Sequence, residues 1–436
     1  MNTDWQLIYR ERCTTALEAV RRGIDRGQHL VFGHAAAAPT TIAEAMFELR
    51  DELSDLKIFH MIYMGEPWHL RPEMAGCVQP MLNFLDKGSR VAYRECRADF
   101  IPCHFHELPD LFVLGLYPVD VAIVQLSLPN AEGYCSFGVS NDYTKAAAEH
   151  ASVIIAEVND RMPFIGGDNL IHVSQLDYIV EVSKPLPAVP AAPIGDIERQ
   201  IAAHCAPLIR DGDTLQLGIG AIPDAVLQSL HGRKDLGIHT EMFTDGVMHL
   251  IRSGQINGKR KTLHPGKVVT TLVMGSEELY EFLDHNEMIE MYPVSYTNDP
   301  YIIAQNDRLI SINSCLEIDL TGQVASEAIG LNQFSGTGGQ VDFLRGAKRS
   351  KGGLSILAMR STAQGDTISR IVPVLSEGAN VTAGRNEVDY IVTEHGCVRL
   401  RGLSLRHRAE ALVSIAHPQF RPMLQDAIGR RFYAKS

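Results

Sequence analysis

The chain has 436 residues, 45% hydrophobic and 21% charged, the composition of a globular protein with room for two cores. Its formal net charge of −12 argues against a general nucleic-acid or anionic-membrane binder, so a polyanionic ligand needs a local basic patch. The eight cysteines have no paired spacing, no apolar run is long enough to span a membrane, and the start Met1-Asn2-Thr3-Asp4-Trp5 lacks a secretory pattern; a cytoplasmic protein with reduced thiols is expected.

Strand-like and helix-like segments alternate along the chain. Strands are predicted at 29–32, 57–64, 119–126, 153–158, 214–217, 268–272 and 309–312. Helical spacing covers 41–51, 197–209 and 405–415. This alternation predicts an α/β fold with largely parallel sheets. Between the two halves, Pro185, Pro187, Pro190 and Pro193 make an extended, semi-rigid connection. The expected organisation is a first domain over 1–184, a linker at 185–193 and a second domain over 194–436. A weak echo links the halves: Gly27, Leu30 and Gly33 are spaced like Gly212, Leu215 and Gly218. Each set leads to a small-residue loop with a proline, Pro39 or Pro223, then a helix. The next strand in each half leads to a glutamate, Glu66 or Glu241. Two related halves with a site between them would follow; generic strand-turn-helix units would look the same.

Several constellations carry chemistry. Gly218-Ile219-Gly220 resembles the start of a dinucleotide fingerprint, and Glu241 lies about twenty residues on, where a ribose-binding acid is expected. Pro223 replaces the third glycine, which suits a helix start instead. The turn can then serve as an anion or oxyanion pocket, or as a plain connection. Glu241 alone reads either as a helix-start carboxylate or as a nucleophile, ionised at neutral pH because its ordinary pKa is about 4.3. Gly336, Gly338 and Gly339 let a backbone approach a ligand closely, without the ending of a Walker loop. Arg345, Lys348, Arg349 and Lys351 follow, as does the separate run Lys259-Arg260-Lys261 elsewhere; such cations meet phosphates or sit on solvated helix ends. Cys96, Cys103, His104 and His106 match no standard zinc spacing, so no metal is expected.

Taken together, these pieces resemble the acetyl-CoA hydrolase/transferase family, and within it the 4-hydroxybutyrate and butyrate CoA-transferases. The resemblance runs nearly the full length, through the run 100–109, Asn159 with Met162-Pro163, 171–174, 218–223, 241–246, 336–343, Lys351-Gly352-Gly353, 388–396, Leu400-Arg401-Gly402 and 415–418. It implies a fold of two related open-sheet domains of CoA-transferase type with the active site between them. It also implies Glu241 as the catalytic glutamate, Gly218 and Gly220 beside the reacting carbonyl, and Gly338 and Gly339 against the CoA thioester. Asn298 is similar in position to an active-site asparagine, and Lys348 is the cation expected to meet CoA. The expected partners are acyl-CoA and small carboxylates. Coenzyme A would be a substrate, with no permanently bound cofactor, and the protein a homo-oligomer.

That reading implies a ping-pong transfer through a glutamyl-CoA thioester. The loops at Gly65-Glu66-Pro67-Trp68 and 34–39 depart from the relatives, which makes Glu66 a candidate for acyl selection; a surface loop is the other reading. Hydrolysis of the same intermediate by water, or a non-catalytic CoA- or nucleotide-binding role, are the alternatives.

Overall fold

The computed structural model describes residues 5–433; Met1 to Asp4, where a secretory start would begin, lie outside the described residues. The chain divides into two units, Met1–Pro190 with Val269–Thr297, and Ala191–Val268 with Asn298–Ser436. Both are α/β, with open, largely parallel sheets and no barrel.

The first unit holds β1 (His29–Phe32), α1 (Thr40–Glu48), β2 (Leu56–His60), β3 (Val78–Leu82), β4 (Asp99–Phe100), β5 (Val121–Leu126), β6 (Val153–Asn159) and β7 (Tyr178–Val182). The strand order is β7-β6-β5-β1-β2-β3-β4, all parallel. The chain starts at β1, runs outward to β4, then returns to the other side of β1. The carboxyl ends of β1 and β5 are therefore a topological switch point. Strands such as β5, Val-Ala-Ile-Val-Gln-Leu, are apolar on both faces because both faces are covered. Leu30, Phe32, Ile58, Val121 and Ile123 pack into one core, while Val31, Phe59, Ala122 and Val124 pack into the other.

The second unit holds β8 (Thr214–Leu217), α2 (Ala221–Ser229), β9 (Gly237–Ile238), β10 (Leu309–Asn313), α3 (Gln340–Arg349), β11 (Leu354–Ala358), β12 (Tyr390–Thr393) and β13 (Gly396–Arg399). Its order is β9-β8-β10-β11-β12-β13, parallel except for the hairpin partner β13. Here the switch point lies between β8 and β10. Val341 and Leu344 of α3 share a core with Leu357, Met359 and Ile391, while Phe343 packs with Ile303, Leu309 and Ala347.

Two features differ from the linear expectation. The stretch 269–297 groups with the first unit, so that unit is discontinuous in sequence. Strand Ile289–Met291 pairs in parallel with Gly166–Gly167, and Val294 joins the first core. The proline-rich segment is tied to the same unit, since Val189 N–H donates to Gly275 O at 2.9 Å and Tyr280 Oη donates to Pro187 O at 2.8 Å. Strand boundaries also shift: the strand expected at 57–64 ends at His60, and the one expected at 268–272 splits into Val268–Thr270 and Leu272–Val273.

The internal echo is partly physical. Gly27 and Gly212 both turn with φ +78°, and their N–H groups donate to Ser54 O and Lys234 O, just ahead of the next strand. Leu30 pairs with Ile58, and Leu215 pairs with Ile238. Counting forward from those partners, the counterpart of Glu241 is Met61, a buried core residue, and not Glu66.

Candidate active site

The carboxyl ends of β8, β9 and β10 gather the polar groups of the second unit. Gln216 and Asn313, at the ends of β8 and β10, exchange two amide hydrogen bonds of 3.1 and 3.0 Å, which pins the strand ends together. Beyond β9 the chain continues through buried His239 and Thr240 to Glu241. Thr240 Oγ1 lies 3.1 Å from the carbonyls of both Leu217 and Met242, so one hydroxyl ties the Glu241 segment to the end of β8. The ring of His239 meets Phe343 of α3 edge-on at 6.4 Å.

Lys261 is a buried strut under this segment. Its ammonium donates to Ile238 O at 2.8 Å and Lys267 O at 2.9 Å. The basic run 259–261, read from sequence as a possible phosphate contact, thus sends its last cation into the fold to hold the end of β9.

Glu241 itself is half-buried. Asn298, fully buried, donates from Nδ2 to Glu241 Oε2 at 2.7 Å. The Oδ1 of Asn298 is buried with no hydrogen-bond partner among the described residues. On the other side stands Gly339, the N-cap of α3. A Cβ at Gly339 would overlap Glu241 Oε2 and Asn298 Nδ2. Glycine is needed here for space alone, since its φ of −90° suits other residues. Gly338 needs glycine for the opposite reason: its φ is +53°.

The Gly218-Ile219-Gly220 turn leads from β8 into α2. Gly220 has φ +119°, a glycine conformation, and a Cβ at Gly218 or Gly220 would meet nothing within 4 Å. Helix α2 has no side-chain cap. Gly218 N–H is engaged in the sheet, donating to Ile312 O at 3.4 Å, whereas Ile219 and Gly220 N–H have no acceptor among the described residues. The donors of this turn are therefore the second and third residues rather than the first. In the first turn of α2, burial and then the charge of Asp245 push the Asp224 carboxyl above its usual range.

Other expected site residues are elsewhere or otherwise engaged. Lys348 lies at the far end of α3 from Gly339 and donates to Asn386 O at 2.6 Å. Arg345 pairs with Glu387 at 2.6 Å, Arg349 sits 4.8 Å over the Tyr301 ring, and Lys351 is 3.8 Å from Asp307. Each cation thus has a partner inside the unit, as a structural helix end would. In the first unit, the Glu66 side chain is 67% exposed and pairs with Arg71 at 2.7 Å. The neighbouring loop 34–39 is buried throughout, with His34 Nδ1 3.0 Å from the fully buried Asp142. Among the described residues no cluster of three His, Cys, Asp or Glu side chains has metal-holding geometry, and neither Cys96 nor Cys103 is in a disulfide. No described helix is long and apolar enough to cross a membrane.

Two family models cover most of the chain: the acetyl-CoA hydrolase/transferase N-terminal domain matches residues 2–190 and the C-terminal domain of the same name matches 275–428. The chain is 51% identical to the 4-hydroxybutyrate coenzyme A transferase of Clostridium kluyveri, over 98% of this chain and 100% of that protein. It is 41% identical to the succinyl-CoA:cyclohexane-1-carboxylate CoA transferase of Geobacter metallireducens, over 97% and 96%. Among solved structures, the crystal structure of 4-hydroxybutyrate CoA-transferase from Porphyromonas gingivalis aligns with a TM-score of 0.86 and 56% identity, covering 98% of this chain and 100% of that one.

Proposed function

The chain belongs to the acetyl-CoA hydrolase/transferase family, and from that premise we propose that it is a CoA-transferase, moving coenzyme A from an acyl-CoA to a small carboxylate such as acetate, butyrate or 4-hydroxybutyrate. The observation that carries this reading is the Asn298 Nδ2 to Glu241 Oε2 hydrogen bond of 2.7 Å beside a glycine whose missing Cβ leaves room for the carboxylate. Asn298 occupies one carboxylate oxygen and orients the other for attack.

The chemistry then runs in four balanced steps. A Glu241 oxygen attacks the thioester carbonyl, and the tetrahedral oxyanion collapses by expelling CoA thiolate. This leaves an acyl-glutamyl anhydride. The thiolate attacks the glutamyl carbonyl, releases the first carboxylate and forms a glutamyl-CoA thioester. An incoming carboxylate attacks that thioester to give a new anhydride and thiolate. The thiolate takes the new acyl group and Glu241 is restored. One thioester is exchanged for another, so no phosphoryl donor is consumed. Oxyanions form on the substrate carbonyl and on the glutamyl carbon. Ile219 and Gly220 N–H are candidates for the first, and Asn298 Nδ2, already on Glu241, for the second. Binding of the remote CoA nucleotide and pantetheine offsets the cost of the anhydride. In this reading the enzyme is a cytoplasmic homo-oligomer that holds CoA only in turnover.

The test is two-substrate kinetics. Parallel initial-rate patterns are expected, with acetate accelerating butyryl-CoA consumption far above the rate in water. Equal rates with and without a carboxylate acceptor would assign the chain to hydrolysis instead.

A further inference from the structure

Glu327 is a buried carboxylate that none of these steps uses, only 9% exposed. Its backbone carbonyl receives Phe334 N–H at 2.7 Å and Ser335 N–H at 3.0 Å, folding the hairpin 328–333 back to the start of the glycine loop. Its side chain joins two segments. Oε1 accepts from Thr382 Oγ1 at 3.1 Å, while Oε2 accepts from Gln333 Nε2 and Thr337 Oγ1, both at 3.3 Å. Thr382 is itself anchored, with its N–H on Val324 O at 2.9 Å. Next door, Ser326 Oγ donates to Gln340 Oε1 at 2.7 Å, just past Gly339. The bonds thus run from Thr382 through Glu327 to Thr337, two residues before the glycine whose missing Cβ makes room for Glu241.

A buried carboxylate is costly unless hydrogen-bonded, and its three donors here are all neutral. Stability alone does not call for a charge at this place, because a glutamine would satisfy most of the same partners. What the carboxylate adds is an acceptor at both oxygens, which fixes Thr382 on Oε1 and Gln333 and Thr337 on Oε2. We propose that Glu327 is a positioning residue that holds the glycine loop 334–339 at the distance from Glu241 and Asn298 required for CoA transfer. This rests on the CoA-transferase reading above. The loop backbone is in van der Waals reach of the nucleophile, so a shift of about 1 Å closes or misaligns the attack path, an error able to cost on the order of 10²-fold in rate.

The test is made on the full chain with Glu327→Ala, Glu327→Gln and Thr337→Val. Glu327→Ala is expected to lower kcat by about 10- to 100-fold with the KM for acyl-CoA changed less than about threefold. Glu327→Gln, which keeps an acceptor for Thr382 and a polar contact for Thr337, should recover at least half of that loss on a logarithmic scale. Backbone amides at 335–339 should exchange hydrogen about tenfold faster or more in Glu327→Ala. Unchanged loop exchange overturns the proposal, whether or not kcat falls; so does a loss borne by KM alone. If Glu327→Ala fails to fold, Thr337→Val decides by the same readouts, with a smaller kcat loss expected and unchanged exchange overturning. Should the wild type transfer no CoA, the functional reading falls, and loop exchange alone then decides whether Glu327 braces the loop.

Discussion

The two units contain the same device, a glycine-turned strand leading to a helix at the switch point of a parallel sheet, and they fill it differently. In the first unit the start of α1 is plugged from within. Glu157, at the end of β6, accepts Ile42 N–H at 2.7 Å, Gln125 Nε2 donates to Ala38 O at 2.9 Å, and Asn159 Nδ2 donates to Gln125 Oε1 at 2.9 Å. The protein's own carboxylate sits where a helix start would hold an anion. In the second unit the turn at Gly218 to Gly220 has open space above it and an uncapped helix behind it. The position that holds buried Met61 in the first unit holds the half-buried carboxylate Glu241 in the second. One local geometry thus serves as a scaffold where it is plugged and as a candidate site where it is open.

The strongest way to break this contrast is at Glu241. Glu241→Gln keeps the shape and an acceptor for Asn298 but is a poor nucleophile, so transfer should fall by on the order of 10³-fold or more while CoA binding persists. Steady-state assay beside CoA calorimetry checks it; retained activity would reduce Glu241 to a structural residue. Next comes Gly339→Ala. The backbone angles accept alanine, but the Cβ overlaps the Glu241 carboxylate and the Asn298 amide. Activity should drop about 10²-fold with a change in thermal midpoint of only a few degrees. A large loss of stability with normal activity in the folded fraction would contradict it.

The plugged unit has its own signature in pH. Burial pushes Glu157 up to about 7, against the opposing N–H groups of Ile42 and Thr41 and the charge of Lys184, with Glu44 adding to the rise. A carboxyl whose folded value lies above its unfolded value binds more protons in the folded state. Its stabilising contribution is therefore full below about 4.5 and is lost as the pH rises through about 7. The loss is on the order of 2–3 kcal/mol across that window. Glu157→Gln should flatten this decline, as measured by urea unfolding at pH 5 and pH 7.5. Identical pH slopes in both proteins would show that Glu157 is not the titrating group.

The smallest effects are expected where sequence and structure part. Glu66→Ala removes a largely exposed ion pair with Arg71, and Lys348→Ala removes a bond to Asn386 O. Each should change stability by about 0.5 kcal/mol or less, and the apparent CoA constant and the butyrate-to-acetate preference by less than about twofold. A larger change in acyl preference would return Glu66 to the pocket, and a larger, salt-sensitive change in the CoA constant would do so for Lys348.

Much of the second unit's candidate site is legible in the sequence because its residues break ordinary patterns. Three glycines between 336 and 339, and a lone carboxylate just past a short strand, have few structural uses. Asn298 was legible only by resemblance, since its hydrogen bond spans 57 residues of chain. Lys261 and Glu327 were not legible at all. A charged residue in a polar stretch looks solvated, and only the fold shows that both are buried against carbonyls or hydroxyls. The strands β1 and β8 were read to the residue because turn glycines and apolar runs bound them, whereas β3 was hidden by Pro80 and Gln79 inside it. The return of 269–297 to the first unit rests on contacts between segments far apart in sequence, such as the pairing of Ile289–Met291 with Gly166–Gly167 and the bond from Val273 N–H to Val139 O, which local patterns do not encode.

The most direct test is to trap the intermediate. The full-length protein is incubated with acyl-CoA without acceptor, treated with borohydride or hydroxylamine, digested and analysed by mass spectrometry. The account predicts that Glu241, and no other carboxylate, is modified: reduced to the alcohol by borohydride or converted to the hydroxamate by hydroxylamine, with no such change in Glu241→Gln. An unmodified Glu241 alongside rapid transfer, or modification at another carboxylate such as Glu66, would contradict it.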